Sequence, residues 1–261
     1  MNNAFIKEIY VSSLLSKLSY YQPSEFFKLI SNGKSEFNDL YNIIINNHLY
    51  FIEEEDVKCI LFKYNDIIYI SLYSELNYNQ NQKLTKICKK IKVHKGTFDI
   101  YKRIENDICK NISKLVDENT VNINISGFYV AGSLATIIAA CMGDKYNNIY
   151  LVTCVTFASP KVGNYHFKKY FNKYTNRSYR VNTVDDNYIR FTNYKHVSNT
   201  ILITNNHIMC VAKENYYKKW TDIFVKEKSK KIDSIDTYIQ YLKNICSNKT
   251  SSIEIARDAK L

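Results

Sequence analysis

The residues best placed for chemistry lie in one junction, Ile123-Asn124-Ile125-Ser126-Gly127-Phe128-Tyr129-Val130-Ala131-Gly132-Ser133-Leu134-Ala135-Thr136. Alternating apolar residues pass directly into a run of small ones, the pattern of a strand that turns sharply into a helix. Residues two before and two after the apex of such a turn must be small, because the strand and helix backbones nearly touch. Gly127 and Ala131 meet that requirement around Tyr129. A turn of this kind can present its apex side chain at a sheet edge as a nucleophile. Here that side chain is a phenol, with a reference pKa of about 10 and an oxygen a ring's length beyond that of a serine. Taken alone, a glycine between strand and helix also fits an ordinary tight turn.

Other reactive side chains give weaker signals. Ser133 lies four residues past the apex, inside the expected helix, where its hydroxyl faces the turn or bonds back to the backbone. His48, His94 and His166 lack the acidic or cysteine spacing of a metal site, and His207 reads as a solvated loop residue. The seven cysteines show no CxxC pair, so they read as reduced thiols in the cytoplasm. No metal or cofactor is expected.

The elements that must hold the junction are legible as periodic runs. Helical spacing over 3–20, 24–31 and 36–46, with Pro23-Ser24 as a start and Asn32-Gly33 as a stop, predicts a helical layer across 1–50 that packs on a sheet. Val57–Tyr64 and Ile67–Tyr73 flank Asn65-Asp66 as a hairpin. Lys83–Lys92 sets Leu84, Ile87, Cys88 and Ile91 on one helical face with lysines around it. That spacing predicts a basic amphipathic helix packed on its own domain, with peripheral contact to a membrane surface as the alternative.

Phe98–Val116 reads as a helix, Val121–Ser126 as a strand, Leu134–Met142 as a helix closed by Gly143, and Tyr150–Phe157 as a buried strand. Strand, helix and strand in that order give a βαβ unit and a parallel sheet. Tyr179–Thr183 and Thr200–Ile203 add short strands, and Ile235–Ile245 a terminal helix. Together these predict one α/β domain over 1–261, with a mostly parallel central sheet and helices on both faces.

Bulk properties narrow the class. A chain of 261 residues, 46% hydrophobic with six glycines and two prolines, can bury one sizeable core and is not a disordered or collagenous chain. Its start has no apolar run with a small-residue cleavage site, and nothing approaches the roughly eighteen apolar residues of a membrane span. The net charge of +11 allows an anionic partner. The lysines are dispersed along a chain also loaded with Asn, Ile and Tyr, however, and no nucleic-acid module accompanies them, so no nucleic-acid partner is expected.

Beyond the junction, Thr156-Phe157-Ala158-Ser159-Pro160-Lys161-Val162-Gly163-Asn164 is followed by Phe167 and then by Tyr179-Arg180-Val181-Asn182-Thr183-Val184-Asp185. Val93-His94-Lys95-Gly96-Thr97-Phe98 with Tyr101 stands upstream, and Tyr194-Lys195-His196-Val197 downstream. In this order the motifs resemble the class 3, or fungal-type, lipase family over 57–245, which implies an α/β-hydrolase fold. The resemblance implies that Asp185 holds the position of the triad acid and Tyr129 that of the serine nucleophile. It places Asp233 where the histidine base is expected, and Ser74, within Tyr73-Ser74-Glu75, in the oxyanion loop. Glu75 would bring negative charge to that loop.

Acyl transfer needs an activatable oxygen, an imidazole that carries its proton and donors aimed at the tetrahedral oxygen. The resemblance with these departures therefore implies an inactive, lipase-like protein that binds a lipid, an acyl group or a protein partner. An ester hydrolase with a rearranged centre is the alternative.

Overall fold

A computed structural model describes residues 3–31, 37–45, 47–76, 83–183, 194–197, 199–205, 208–211, 234–247 and 253–255. Three helices open the chain: α1 (Asn3–Leu18), α2 (Pro23–Ser31) and α3 (Asn38–Ile44). The three serines of α1, and Ser19 just past its end, are fully buried or nearly so. Three of them spend their hydroxyls inside the helix: Ser13 donates to the Tyr10 carbonyl at 2.7 Å, Ser16 to Ser12 at 2.8 Å and Ser19 to Ser16 at 2.9 Å. Small, internally bonded side chains let α1 lie close against its neighbours without leaving those hydroxyls unsatisfied.

The strands β1 (Tyr50–Glu54), β2 (Val57–Tyr64) and β3 (Ile67–Ser74) follow as an antiparallel meander. Tyr64 pairs with Ile67 across Asn65-Asp66, and Asn65 takes the positive φ of 54° that this two-residue turn requires. Next come β4 (Leu84–Cys88), β5 (Ile91–His94), α4 (Lys95–Leu115), β6 (Asn122–Phe128), α5 (Val130–Lys145) and β7 (Leu151–Phe157). They are followed by α6 (Tyr165–Tyr174), β8 (Arg177–Thr183), β9 (Asn199–Ile203), β10 (Ile208–Val211), α7 (Ile235–Ser247) and β11 (Ile253–Ile255).

The main sheet has the order β1-β2-β3-β6-β7-β8-β9-β10-β11. It is parallel from β3 through β9, and antiparallel pairs lie towards both ends. Alternating side chains supply two cores. Ile68, Ile70 and Leu72 of β3 and Ile123 and Ile125 of β6 meet α4, α5 and α6 on one face. Ile60 and Phe62 of β2 and Val155 and Phe157 of β7 meet α1, α2, α3 and α7 on the other. Each fully buried Ile or Phe contributes about 1.5–3 kcal/mol, so helices on both faces follow from the strand pattern. The fold is α/β with a mixed, mostly parallel sheet, as expected from the βαβ run.

Two expectations need correction. Lys83–Lys92 is not a helix: β4 and β5 form a separate antiparallel hairpin, with Leu84 opposite His94, Thr85 opposite Val93 and a bulge between Lys86 and Cys88. The apolar spacing is common to a bulged strand pair and a helix, and the choice is made by distant backbone. The Asn164 side chain donates to the Lys90 carbonyl at 2.9 Å and accepts from the Lys92 amide at 3.2 Å, while Val93 bridges Gly163.

Nor does Gly143 end a helix. It lies within α5, where a Cβ would stand 2.0 Å from the Tyr174 carbonyl oxygen, so it is a packing glycine that lets α5 meet the end of α6.

Candidate functional site

The site is built on the carboxyl edge of β3, β6, β7 and β8. Tyr129 occupies the single residue between β6 and α5 with φ 53° and ψ −115°, a left-handed backbone that a non-glycine residue holds only at a cost. Its amide donates to the Phe157 carbonyl at 2.8 Å, and its carbonyl accepts the Ser133 amide at 3.2 Å. The apex is thus tied on one side to the neighbouring strand and on the other to the first turn of the helix.

The crowding around this apex is severe. A Cβ on Gly132 would come within 2.9 Å of the Ser159 Cβ and 3.0 Å of the Gly127 carbonyl oxygen. Ala158 adds a second positive φ, 49°, at the end of β7, and its amide donates to Val181 at 3.1 Å. The Tyr129 ring is half-buried and lies 6.5 Å from that of Phe128, which in turn meets Tyr238 of α7 edge-on at 6.0 Å.

Register places the end of β3 beside the apex. Leu72 pairs with Gly127, so Tyr73 and Ser74 run on beside Phe128 and Tyr129. Ser74 Oγ accepts the Leu76 amide at 3.3 Å, and the Tyr73 hydroxyl donates to Glu75 at 2.9 Å. Burial, and then this bond to Glu75, raises the Tyr73 pKa. Tyr20, just past α1, stacks at a tilt on Tyr73 with ring centres 4.5 Å apart. On the far side, the Thr183 amide at the end of β8 donates to the Tyr238 hydroxyl at 3.2 Å, which joins β8 to α7.

Ser74 and Tyr129 therefore share an edge, whereas Asp185, Asp233 and His207 lie outside the described residues. The Ser133 hydroxyl is buried and points to the Pro160 carbonyl at 3.4 Å, across to the next loop. Back-bonding within the helix is done by Thr136, which donates to Gly132 at 2.8 Å.

Two histidines are deeply buried and structurally engaged. His94 Nδ1 accepts from the Thr97 amide at 3.2 Å and lies 2.9 Å from its hydroxyl, capping α4. His196 Nε2 lies 3.2 Å from Nη1 of the buried Arg180, which also donates to Asn182 at 3.1 Å and to Thr200. Burial, then Arg180, Lys161 and Lys168, hold His196 well below the ordinary histidine range, so the ring is neutral at pH 7.

A cavity of about 200 Å³, lined by Val121, Gly143, Ile149, Leu151 and Tyr174 among others, opens at the amino ends of β6 and β7, opposite the Tyr129 edge. Among the described residues no helix is long and apolar enough to cross a membrane.

With the sharp turn and its sheet edge established, the comparison with known families is direct. Residues 69–194 match the family model for class 3 lipases. This segment, just under half of the chain, is similar to the class 3 lipases. It starts within β3, carries the end of that strand, the apex at Tyr129 and Arg180, and stops two residues before His196.

Solved structures share the fold over most of the chain. An MDLA variant from Penicillium cyclopium superposes with a TM-score of 0.71 at 16% identity, covering 95% of this chain and 100% of its own. The lipase from Rhizopus microsporus var. chinensis gives 0.63 at 15% identity, with 78% and 76% covered. The triacylglyceride lipase of Rhizomucor miehei gives 0.64 at 14% identity, with 78% and 82% covered. In another similar structure, a triacylglycerol lipase, a serine protease triad forms the catalytic centre. No curated protein sequence matches the chain.

Proposed function

We propose that this protein is a lipase-like binding domain that holds a lipid or acyl chain at the Tyr129 edge and does not turn over esters. The observation that carries the reading is Tyr129 itself, a phenol on the strained apex where the family's nucleophile would stand.

A phenol with a pKa of about 10 needs a strong base beside it to attack an ester. In this reading Asp233 takes the place of that base and Asp185 is the acid. An acid position without an imidazole has nothing to orient, because the triad carboxylate acts by fixing and stabilising a histidine. His94 and His196 are committed to a helix cap and to Arg180. Ser74 holds the oxyanion-loop position in this reading, followed by Glu75, a carboxylate that opposes the negative charge a tetrahedral intermediate develops.

Apolar recognition is the chemistry such an edge supports. Tyr20, Tyr73, Phe128 and Tyr129 give it aromatic walls, and aromatic faces suit hydrocarbon chains with a polar group at one end.

The test is equilibrium binding of a fluorescent long-chain acyl probe, with competition by unlabelled fatty acid. Saturable binding weakened severalfold by Tyr129→Trp is expected. Absence of any saturable acyl binding would defeat the lipid reading and leave a protein partner as the occupant to seek.

A further inference from the structure

Along the sequence the lysines look dispersed, but the fold gathers them. Residues 83–95 carry six lysines and 161–169 carry three, and neither segment contains an Asp or Glu. The two stretches thus carry nine positive charges and no negative one, in a chain whose net charge is +11.

The two segments are bonded into one surface. The Asn164 side chain holds both Lys90 and Lys92 of the β4–β5 hairpin, and the His94 amide donates to the Val162 carbonyl at 2.8 Å. Gly163 bridges Val93 on one side and Lys195 on the other. Lys83, Lys86, Lys89, Lys90, Lys92, Lys169 and Lys195 are exposed, and among the described residues none of them has a carboxylate partner. Lys95 alone in the hairpin segment is paired, with Asp99 at 2.6 Å. The field of this cluster reaches inward, since Lys161 and Lys168 both lower the His196 pKa.

The surface also carries apolar side chains between the cations. Leu84 is 39% exposed and Tyr165 is 55% exposed, and Ile87 and Ile91 are half-buried. The Lys169 ammonium lies over the Tyr165 ring at 4.8 Å. A nucleic acid would use the charges and leave these aliphatic groups in water. A bilayer of acidic phospholipids uses both, with headgroup phosphates for the ammoniums and the interfacial region for Leu84 and Tyr165.

Position strengthens the case. The hairpin is bonded at His94 to Val162, five residues past the end of β7, so it lies towards the carboxyl edge of the sheet, the edge that carries Tyr129.

We propose that the β4–β5 hairpin, the start of α6 and Lys195 form a docking surface for an anionic phospholipid bilayer. The proposal does not depend on what occupies the Tyr129 crevice.

The test is co-sedimentation of the full chain with phosphatidylcholine vesicles, with or without one-third phosphatidylglycerol. Binding to the anionic vesicles only, lost as salt is raised to about 0.5 M, is expected. Two triple variants, Lys86→Gln with Lys89→Gln and Lys90→Gln, and Lys168→Gln with Lys169→Gln and Lys195→Gln, should each lower the partition coefficient by about 100-fold. Their melting temperatures should stay unchanged, and Tyr129→Trp should bind vesicles normally. Leu84→Ser should weaken binding severalfold, which charge alone would not produce. Equal binding to neutral vesicles, wild-type binding by both triple variants, or a DNA duplex that outcompetes the vesicles would overturn the proposal.

Discussion

Gly127 is pressed against the backbone of Ala131: a methyl group on Gly127 would stand 2.5 Å from the Ala131 carbonyl oxygen. The two residues flank Tyr129 at equal distance in sequence, so β6 can turn into α5 only over a bare Cα. The obstructing atom is backbone and has no rotamer with which to yield. Gly127→Ala should therefore destabilise the protein by about 3 kcal/mol, seen as a lower urea midpoint with an unchanged slope. A variant as stable as the parent would mean that the turn relaxes freely.

The backbone of Tyr129 predicts an inverted ranking of small residues. At most sites alanine is more stable than glycine, because glycine loses more chain entropy on folding. At φ 53° the strain persists in alanine and vanishes in glycine. Tyr129→Gly should be more stable than Tyr129→Ala by about 1 kcal/mol, with the loss of the ring common to both. Thermal unfolding of the two variants decides it, and the opposite order would remove the strain from the account.

Gly143 offers a second inversion. Helix propensity alone gives a gain of about 1 kcal/mol for Gly→Ala in a helix interior. The Tyr174 carbonyl, 2.0 Å from the site of the missing Cβ, makes Gly143→Ala destabilising by about 2 kcal/mol or more. Denaturant titration gives the sign directly.

The neutral, buried His196 makes stability fall in acid. Its folded pKa is well below the ordinary histidine value of 6.5, so below that pH the unfolded chain takes up a proton that the folded chain refuses. Stability from this group is present above about pH 6.5 and is lost as pH falls towards the folded pKa. Raised carboxyl pKa values such as that of Glu8, where burial is the main cause, act in the opposite sense. The comparison is therefore parent against His196→Asn: the variant should be less stable at pH 7.5 but lose less between pH 7.5 and 5. Parallel curves would show that His196 does not titrate as described.

How much of this was legible in the sequence depends on how local each signal is. The hairpin at Asn65-Asp66, strand β6 and the turn at Gly127-Phe128-Tyr129 are encoded by neighbouring residues, and the periodic runs predicted them. Helix α6 was missed, although Asn164 caps it by accepting the Phe167 amide at 3.0 Å and Phe167, Tyr170, Phe171 and Tyr174 repeat at helical spacing. The β4–β5 hairpin was not decidable locally, since its bonds come from Asn164 and Gly163 some seventy residues on. The same holds for Gly143 and Tyr174. Strands β1, β10 and β11 went unread as well. They lie towards the ends of the sheet order and are only 5, 4 and 3 residues long, too short for a period to register.

The most direct test of the central claim is hydrolysis of short- and long-chain p-nitrophenyl esters by the purified protein. The account predicts release no faster than in buffer, unchanged by Tyr129→Phe. Enzyme-dependent turnover that Tyr129→Phe abolishes would contradict it.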